Sequence, residues 1–205
     1  KAKYGVVAVR IQNELKGKSC IPIKEKTSAR KEICVSRSFA YPIDSLEELN
    51  EAISKYVQIA CAKLRRYNQL CSAITVFAST NTHSIDLFKC EATEILNIAT
   101  SNSEIILKQS FILTKKIFKP YKKLIKSGVI LHKLQSSQYK QNNLFEKVSI
   151  QEELHPKSLS DLIDNINKRY RRDTIGWGSS TLEKDWSPRR GELSCIKTTS
   201  IESIP

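Results

Sequence analysis

Methionine is missing from this sequence altogether, and the chain starts Lys1-Ala2-Lys3-Tyr4. An intact translated protein normally starts with methionine, so the chain reads as the carboxyl-terminal part of something longer. Long apolar runs are missing too. None reaches the ~18 residues that a membrane span needs, and no signal peptide is visible. Glycine and proline number 6 each, and the glycines nowhere gather into a phosphate-cradling loop. The cysteines (Cys20, Cys34, Cys61, Cys71, Cys90 and Cys195) form no Cys-x-x-Cys and have no histidine pair nearby. That argues against zinc and against a secreted disulfide scaffold, and most of them read as buried thiols of a reducing cytosol. His83, His132 and His155 have no sequence partners, and Glu47-Glu48, Glu152-Glu153 and Asp161/Asp164 read as helix-start or surface acids. Nothing assembles a nucleophile, a base and an oxyanion site, so the chain does not read as a self-sufficient enzyme.

What is present is basic charge. The 205 residues suffice for one ordinary domain plus appendages, and they carry a net charge of +13. Residues 1–150 hold 25 Lys/Arg against 12 Asp/Glu, while residues 151–205 hold 9 against 9. A basic body with a neutral tail favours a polyanion as the body's partner. A membrane surface fits less well, because the lysines are spread over several elements and not collected on one amphipathic helix. The densest feature is Lys115, Lys116, Lys119, Lys122, Lys123 and Lys126, twelve positions without an acidic residue. Such lysines give sequence-independent phosphate contacts, although a solvated basic face has the same composition.

The segment Lys31-Glu32-Ile33-Cys34-Val35-Ser36-Arg37-Ser38-Phe39 reads as a strand closed by a turn at Ala40-Tyr41-Pro42. Two hydroxyls flanking a guanidinium, Ser36, Arg37 and Ser38, suit a phosphate backbone, and an ordinary edge strand is the alternative. Before it, Gly5 to Leu15 reads as a helix with Gly17 at C′, and 24–30 as a basic linker. After it, Ser45-x-x-Glu48 has the form of a capping box opening a long helix whose apolar stripe runs from Leu46 to Leu64. Lys63, Arg65 and Arg66 fall in its last turn, where cations complement the dipole. Cys71 to Ser79 reads as a strand, 80–91 as a polar loop and Ala92 to Ile98 as a third strand. Ser101-x-x-Glu104 opens a helix to about Phe118, ended by Pro120. Leu124 to Leu134 is a fourth strand, with Gly128 read as a bulge. The expected fold is therefore α+β, β-α-β-β-α-β, a four-stranded sheet with two helices on one face. A short helix from Ser158 to about Arg171 and an irregular end complete the chain.

Several of these segments resemble UmuC-type Y-family DNA polymerases. Val9-Arg10 and Glu14-Leu15-Lys16-Gly17 resemble the last thumb helix of that family, and Glu32 to Phe39 resembles the first strand of its little finger domain. Ala62-Lys63-Leu64-Arg65 and the order of elements continue the likeness. Gln141-Asn142-Asn143-Leu144-Phe145 is similar to the family's sliding-clamp-binding peptide, and Leu193-Ser194 with Thr198-Thr199 to its short carboxyl-terminal domain. The resemblance implies a thumb remnant at 1–23, the linker 24–30, a little finger at 31–135, a flexible linker with the clamp peptide at 136–157 and a small domain at 158–205. It implies error-prone translesion synthesis in the SOS response, as the catalytic subunit of DNA polymerase V, in the cytoplasm. The Mg²⁺ of the full-length polymerase would be held by palm carboxylates that this sequence does not contain, so no cofactor is expected here. Primed or damaged DNA would meet Ser36, Arg37, Ser38, Lys115, Lys116, Lys119, Lys122 and Lys123. The sliding clamp would meet Gln141, Leu144 and Phe145, and UmuD′ and RecA are partners by resemblance alone.

Two other readings stay open at this point. One is a stand-alone nucleic-acid-binding or clamp-docked adaptor with no catalytic half. The other is a basic RNA-binding domain, which would want the exposed aromatic pairs on which sheets stack RNA bases.

Overall fold

The computed structural model describes residues 5–22, 30–80, 88–138, 150–170, 173–180 and 186–187, with side chains in the last helix from residue 159 onward. Contacts divide the chain into two units, Lys1–Arg30 and Lys31–Pro205. The first holds one helix, α1 (Gly5–Leu15), whose end is dictated by Gly17 at φ +78°. In that left-handed conformation the Gly17 N–H reaches the Glu14 carbonyl and the Lys18 N–H the Asn13 carbonyl, each at 2.9 Å. This is the paired closure that a C′ glycine permits.

The second unit runs β1 (Ile33–Ile43), α2 (Leu46–Arg66), β2 (Gln69–Ser79), β3 (Lys89–Thr100), α3 (Ser103–Ile117), β4 (Leu124–Ser136) and α4 (Ile150–Tyr170). The strands form one antiparallel sheet in the order β1-β4-β2-β3. The α+β arrangement expected from the sequence is thus present. Helix α2 lies over β1, β4 and β2, and α3 over β2 and β3. Leu49, Ile53, Tyr56, Val57 and Leu64 of α2 are buried against Val35, Ile74, Val76, Val129 and Leu131 of the sheet. Each such side chain contributes about 1.5–3 kcal/mol through removal from water. The helices therefore hold one face of the sheet. Its other face has no helix of this unit over it among the described residues.

Four local expectations are corrected. Ala40-Tyr41-Pro42 is not a turn, because β1 continues through it to Ile43. Proline is tolerated there since β1 is an edge strand whose pairing with β4 shifts between Ser38 and Ile43, so no ladder bond is lost. The cap of α3 is Asn102, not Ser101; its side-chain oxygen accepts the Glu104 N–H at 2.9 Å. Gly128 is no bulge, since it pairs in register with Ser36 on one side and Phe77 on the other. Helix α4 begins at Ile150, ahead of the expected Ser158, because Pro156 makes its first turns read as broken. At Ser45 the cap does form, with its hydroxyl accepting the Glu47 and Glu48 N–H groups. The Glu48 carboxylate meanwhile accepts from the Tyr41 hydroxyl at 3.3 Å.

Candidate nucleic-acid interface

Antiparallel register lays side chains across the open face in rows. Ser38, Lys126, Ser79 and Lys89 stand abreast on β1, β4, β2 and β3. The next row is Ser36, Gly128, Phe77 and Glu91, and the one after it Cys34, Ile130, Thr75 and Thr93. Beyond these come His132, Ala73 and Ile95, with Glu32 just before β1. Ser38, Lys126 and Lys89 are exposed.

The two ends of this face differ in charge. At the far end the His132 ring joins two strands, with Nδ1 at 3.0 Å from the Glu32 carboxylate and Nε2 at 2.9 Å from the Thr75 hydroxyl. Thr75 and Thr93 hydroxyls continue the chain at 2.8 Å. These cross-strand polar pairs tie β1, β4, β2 and β3 together through their side chains. Glu32 is the acid at that end, with Lys133 exposed beside His132, and Glu91 stands one row in from the basic row. The outermost row at the near end carries Lys126 and Lys89 among hydroxyls.

Strand alternation separates the triplet Ser36, Arg37 and Ser38. The two serines lie on the open face, whereas Arg37 shares the helix side with the buried Val35 and Phe39. Burial pushes the phenol of Tyr56 on α2 up to about 12, and the Arg37 guanidinium pulls it the other way. Arg37 remains exposed at the rim and donates to the Ser36 carbonyl at 2.8 Å.

The lysine run is separated too. Lys115 and Lys116 lie in the last turn of α3, in the helix layer, and the Lys116 ammonium is 3.6 Å from the Glu94 carboxylate. Lys119, Lys122 and Lys123 occupy the connection from α3 to β4, where the Lys122 N–H closes onto the Lys119 carbonyl at 3.1 Å. Lys126 alone of the run stands on the open face. Gln141, Leu144 and Phe145 lie outside the described residues.

Two residues at the basic end escape a sequence reading. Lys89 falls inside the polar stretch read as a loop, although Phe88 and Cys90 beside it carry the alternation that starts β3. Tyr121, 95% exposed in the lysine connection, has no periodic pattern to draw notice to it. Among the described residues no group of three His, Cys, Asp or Glu side chains could hold a metal ion, and no helix is long and apolar enough to cross a membrane.

The impB/mucB/samB family C-terminal domain matches residues 30–144, and a domain of unknown function matches residues 157–205. Protein MucB of Escherichia coli is 31% identical over 204 residues, covering 98% of this chain and 47% of that protein. Protein UmuC of Salmonella typhimurium strain LT2 is 27% identical over 203 residues, covering 98% of this chain and 48% of the relative. The chain thus spans about half the length of the relatives it matches. Among solved structures, the insertion ternary complex of Dbh DNA polymerase aligns with 62% of this chain and 34% of its own, at 15% identity and a TM-score of 0.41. A DinB family error-prone DNA polymerase from Sulfolobus solfataricus aligns with 62% of this chain and 35% of its own, at 15% identity and a TM-score of 0.42.

Proposed function

This chain belongs to the impB/mucB/samB family, with that family's C-terminal domain at residues 30–144, and from this premise we propose that it is the duplex-gripping portion of an error-prone translesion DNA polymerase. The observation that carries the reading is the row Ser38, Lys126, Ser79 and Lys89 across an open sheet face. Ammonium groups neutralise phosphates and release their counterions, and hydroxyls donate to phosphate oxygens. Such contacts fix a duplex in place without reading its bases. A polymerase that passes damaged template needs that indifference, because a lesion then leaves the grip unchanged.

Charge sets the path. Glu91, one row in from the lysines, and Glu32 beyond it repel a phosphate backbone, so the backbone runs along the outermost, basic row. Lys119, Lys122 and Lys123 extend that end around the corner of the sheet. Arg37 approaches from the rim, and Lys115 and Lys116 flank the path from the helix layer. Residues 31–135 act here as a little finger, 1–23 as the end of a thumb and 24–30 as the link between them.

The peptide Gln141-Asn142-Asn143-Leu144-Phe145 docks the polymerase on the sliding clamp. Adjacent large apolar side chains in a polar stretch gain about 1.5–3 kcal/mol each in a partner's pocket, and the Gln141 amide adds hydrogen bonds. In this reading the protein acts in the cytoplasm during the SOS response, with UmuD′ and RecA as partners. In this reading Mg²⁺ would be held by palm carboxylates of the full-length polymerase.

The test is fluorescence anisotropy with two labelled primer–template duplexes of unrelated sequence, and a clamp pull-down alongside. Equal affinities for the two duplexes, and clamp capture lost in Leu144→Ala/Phe145→Ala, are expected. A marked preference for one duplex, or no binding to either, would contradict the grip. Unchanged capture would contradict the clamp peptide.

A further inference from the structure

The described parts of the segment from 157 onward, which a domain of unknown function matches, run back along α2 and end on β1. The Asp164 carboxylate takes the Arg65 guanidinium in a fork, at 2.5 and 2.9 Å. Nearer the start of α2, Asp173 pairs with Lys55, and the Ser179 hydroxyl lies 2.6 Å from that of Ser54. Trp186 then enters the core at 5% exposure. Its ring stands edge-on to Phe39 and to Tyr56, with centroids 6.3 and 6.0 Å away and interplanar angles of 87° and 85°.

The site of that last contact is the informative one. Between Ser38 and Ile43, β1 leaves its register with β4. In this gap the Ala40 N–H donates to the Trp186 carbonyl at 3.0 Å. The carboxyl-terminal segment thus bonds the edge strand where its pairing with β4 is interrupted. Ser38, the β1 member of the basic row, lies directly before it.

We propose that residues 186–187 are a clasp on β1, and that Trp186 is a positioning residue that holds Ser38 in the phosphate-gripping row. The proposal rests on the DNA-binding reading for its consequence, and on the Trp186 contacts for the clasp itself. Trp186 need not touch DNA. It fixes residues 39–42 by an edge-to-face sandwich and one backbone bond, while β2 and β4 are held by pairing on both sides. The Trp186 indole nitrogen is buried without a hydrogen-bond partner among the described residues. Phenylalanine at this position keeps the aromatic edge and removes an unpaired donor, whereas alanine removes the packing.

The experiment uses the full chain as wild type, Trp186→Ala and Trp186→Phe, with amide hydrogen exchange and anisotropy on one labelled primer–template duplex. In Trp186→Ala, exchange should quicken at residues 39–42 and stay unchanged at the centre of β2. Duplex affinity should fall about tenfold, the worth of one charge-assisted contact held out of place. Trp186→Phe should restore both. Unchanged exchange at 39–42 would overturn the clasp, and quickened exchange with unchanged affinity would overturn the positioning role. If the alanine variant fails to fold, Trp186→Leu takes its place: quickened exchange at 39–42 with weaker duplex binding supports the clasp, and unchanged exchange there contradicts it. Should the wild type bind no duplex at all, the DNA-binding reading fails while the exchange comparison still judges the clasp.

Discussion

A Cβ at Gly128 would lie 2.5 Å from Ser36 Cβ, 2.6 Å from Phe77 Cζ and 2.8 Å from the Val35 carbonyl oxygen. The Phe77 ring tip can swing, but Ser36 Cβ and the carbonyl belong to the neighbouring strand and cannot. Gly128→Ala should therefore destabilise the fold by about 1–3 kcal/mol, the range of overpacking in a filled site, and urea unfolding measures it. The cysteines give a second prediction at this scale. Burial pushes the Cys61 thiol up to about 11 and raises that of Cys71, whereas Cys34 is exposed on β1. A thiol keeps its proton below its own pKa, so at neutral pH Cys61 and Cys71 carry no thiolate and no access. Ellman's reagent on the native chain should modify Cys34 and leave Cys61 and Cys71 until denaturant is added; mass spectrometry of the labelled peptides checks the assignment.

At the scale of elements, Arg65 is the joint. Read in sequence it is one of three cations in a helix's last turn, but its guanidinium also holds the Ser101 carbonyl at 3.0 Å and the Ser103 hydroxyl at 2.9 Å beside the Asp164 fork. One side chain thereby fastens α2, the start of α3 and α4. Its side chain is 10% exposed and that of Asp164 29%. Arg65→Met should cost about 2–3 kcal/mol, as expected for breaking a largely buried charge pair. The exposed pair Lys108–Glu104, one helical turn apart at 2.7 Å, is the comparison. Lys108→Met should change stability by less than about 0.5 kcal/mol, and urea midpoints of the two variants test the contrast. The periodic pattern of α2 was legible because nine of its positions meet the core. The run of β1 through Pro42 was not, because whether a proline stops a strand depends on the neighbour it would have bonded, and that neighbour is distant in sequence. The same holds for Asn102 over Ser101 as a cap, which is settled by Ser103 turning inward to Arg65.

For the whole molecule, local composition showed where cations are dense but not which side of the sheet they occupy. The lysine run reads as one patch, yet α3 ends inside it, so Lys115 and Lys116 go to the helix layer and Lys126 to the open face. Ser36, Arg37 and Ser38 are adjacent in sequence and divided by a period of two. Lys89 completes the row only through the β2–β3 pairing, which no local pattern shows. If this row holds phosphates, its lysines set the salt dependence of binding. The most direct measurement is the salt dependence of duplex affinity for the full chain, wild type against Lys89→Ala/Lys126→Ala. Each lost phosphate contact lowers the slope of log affinity against log salt by about one. The double variant should bind more weakly at low salt with a slope shallower by about 2, while Lys115→Ala/Lys116→Ala shows a smaller change. An unchanged slope in the Lys89/Lys126 variant, with the fold intact, would show that this row does not hold phosphates.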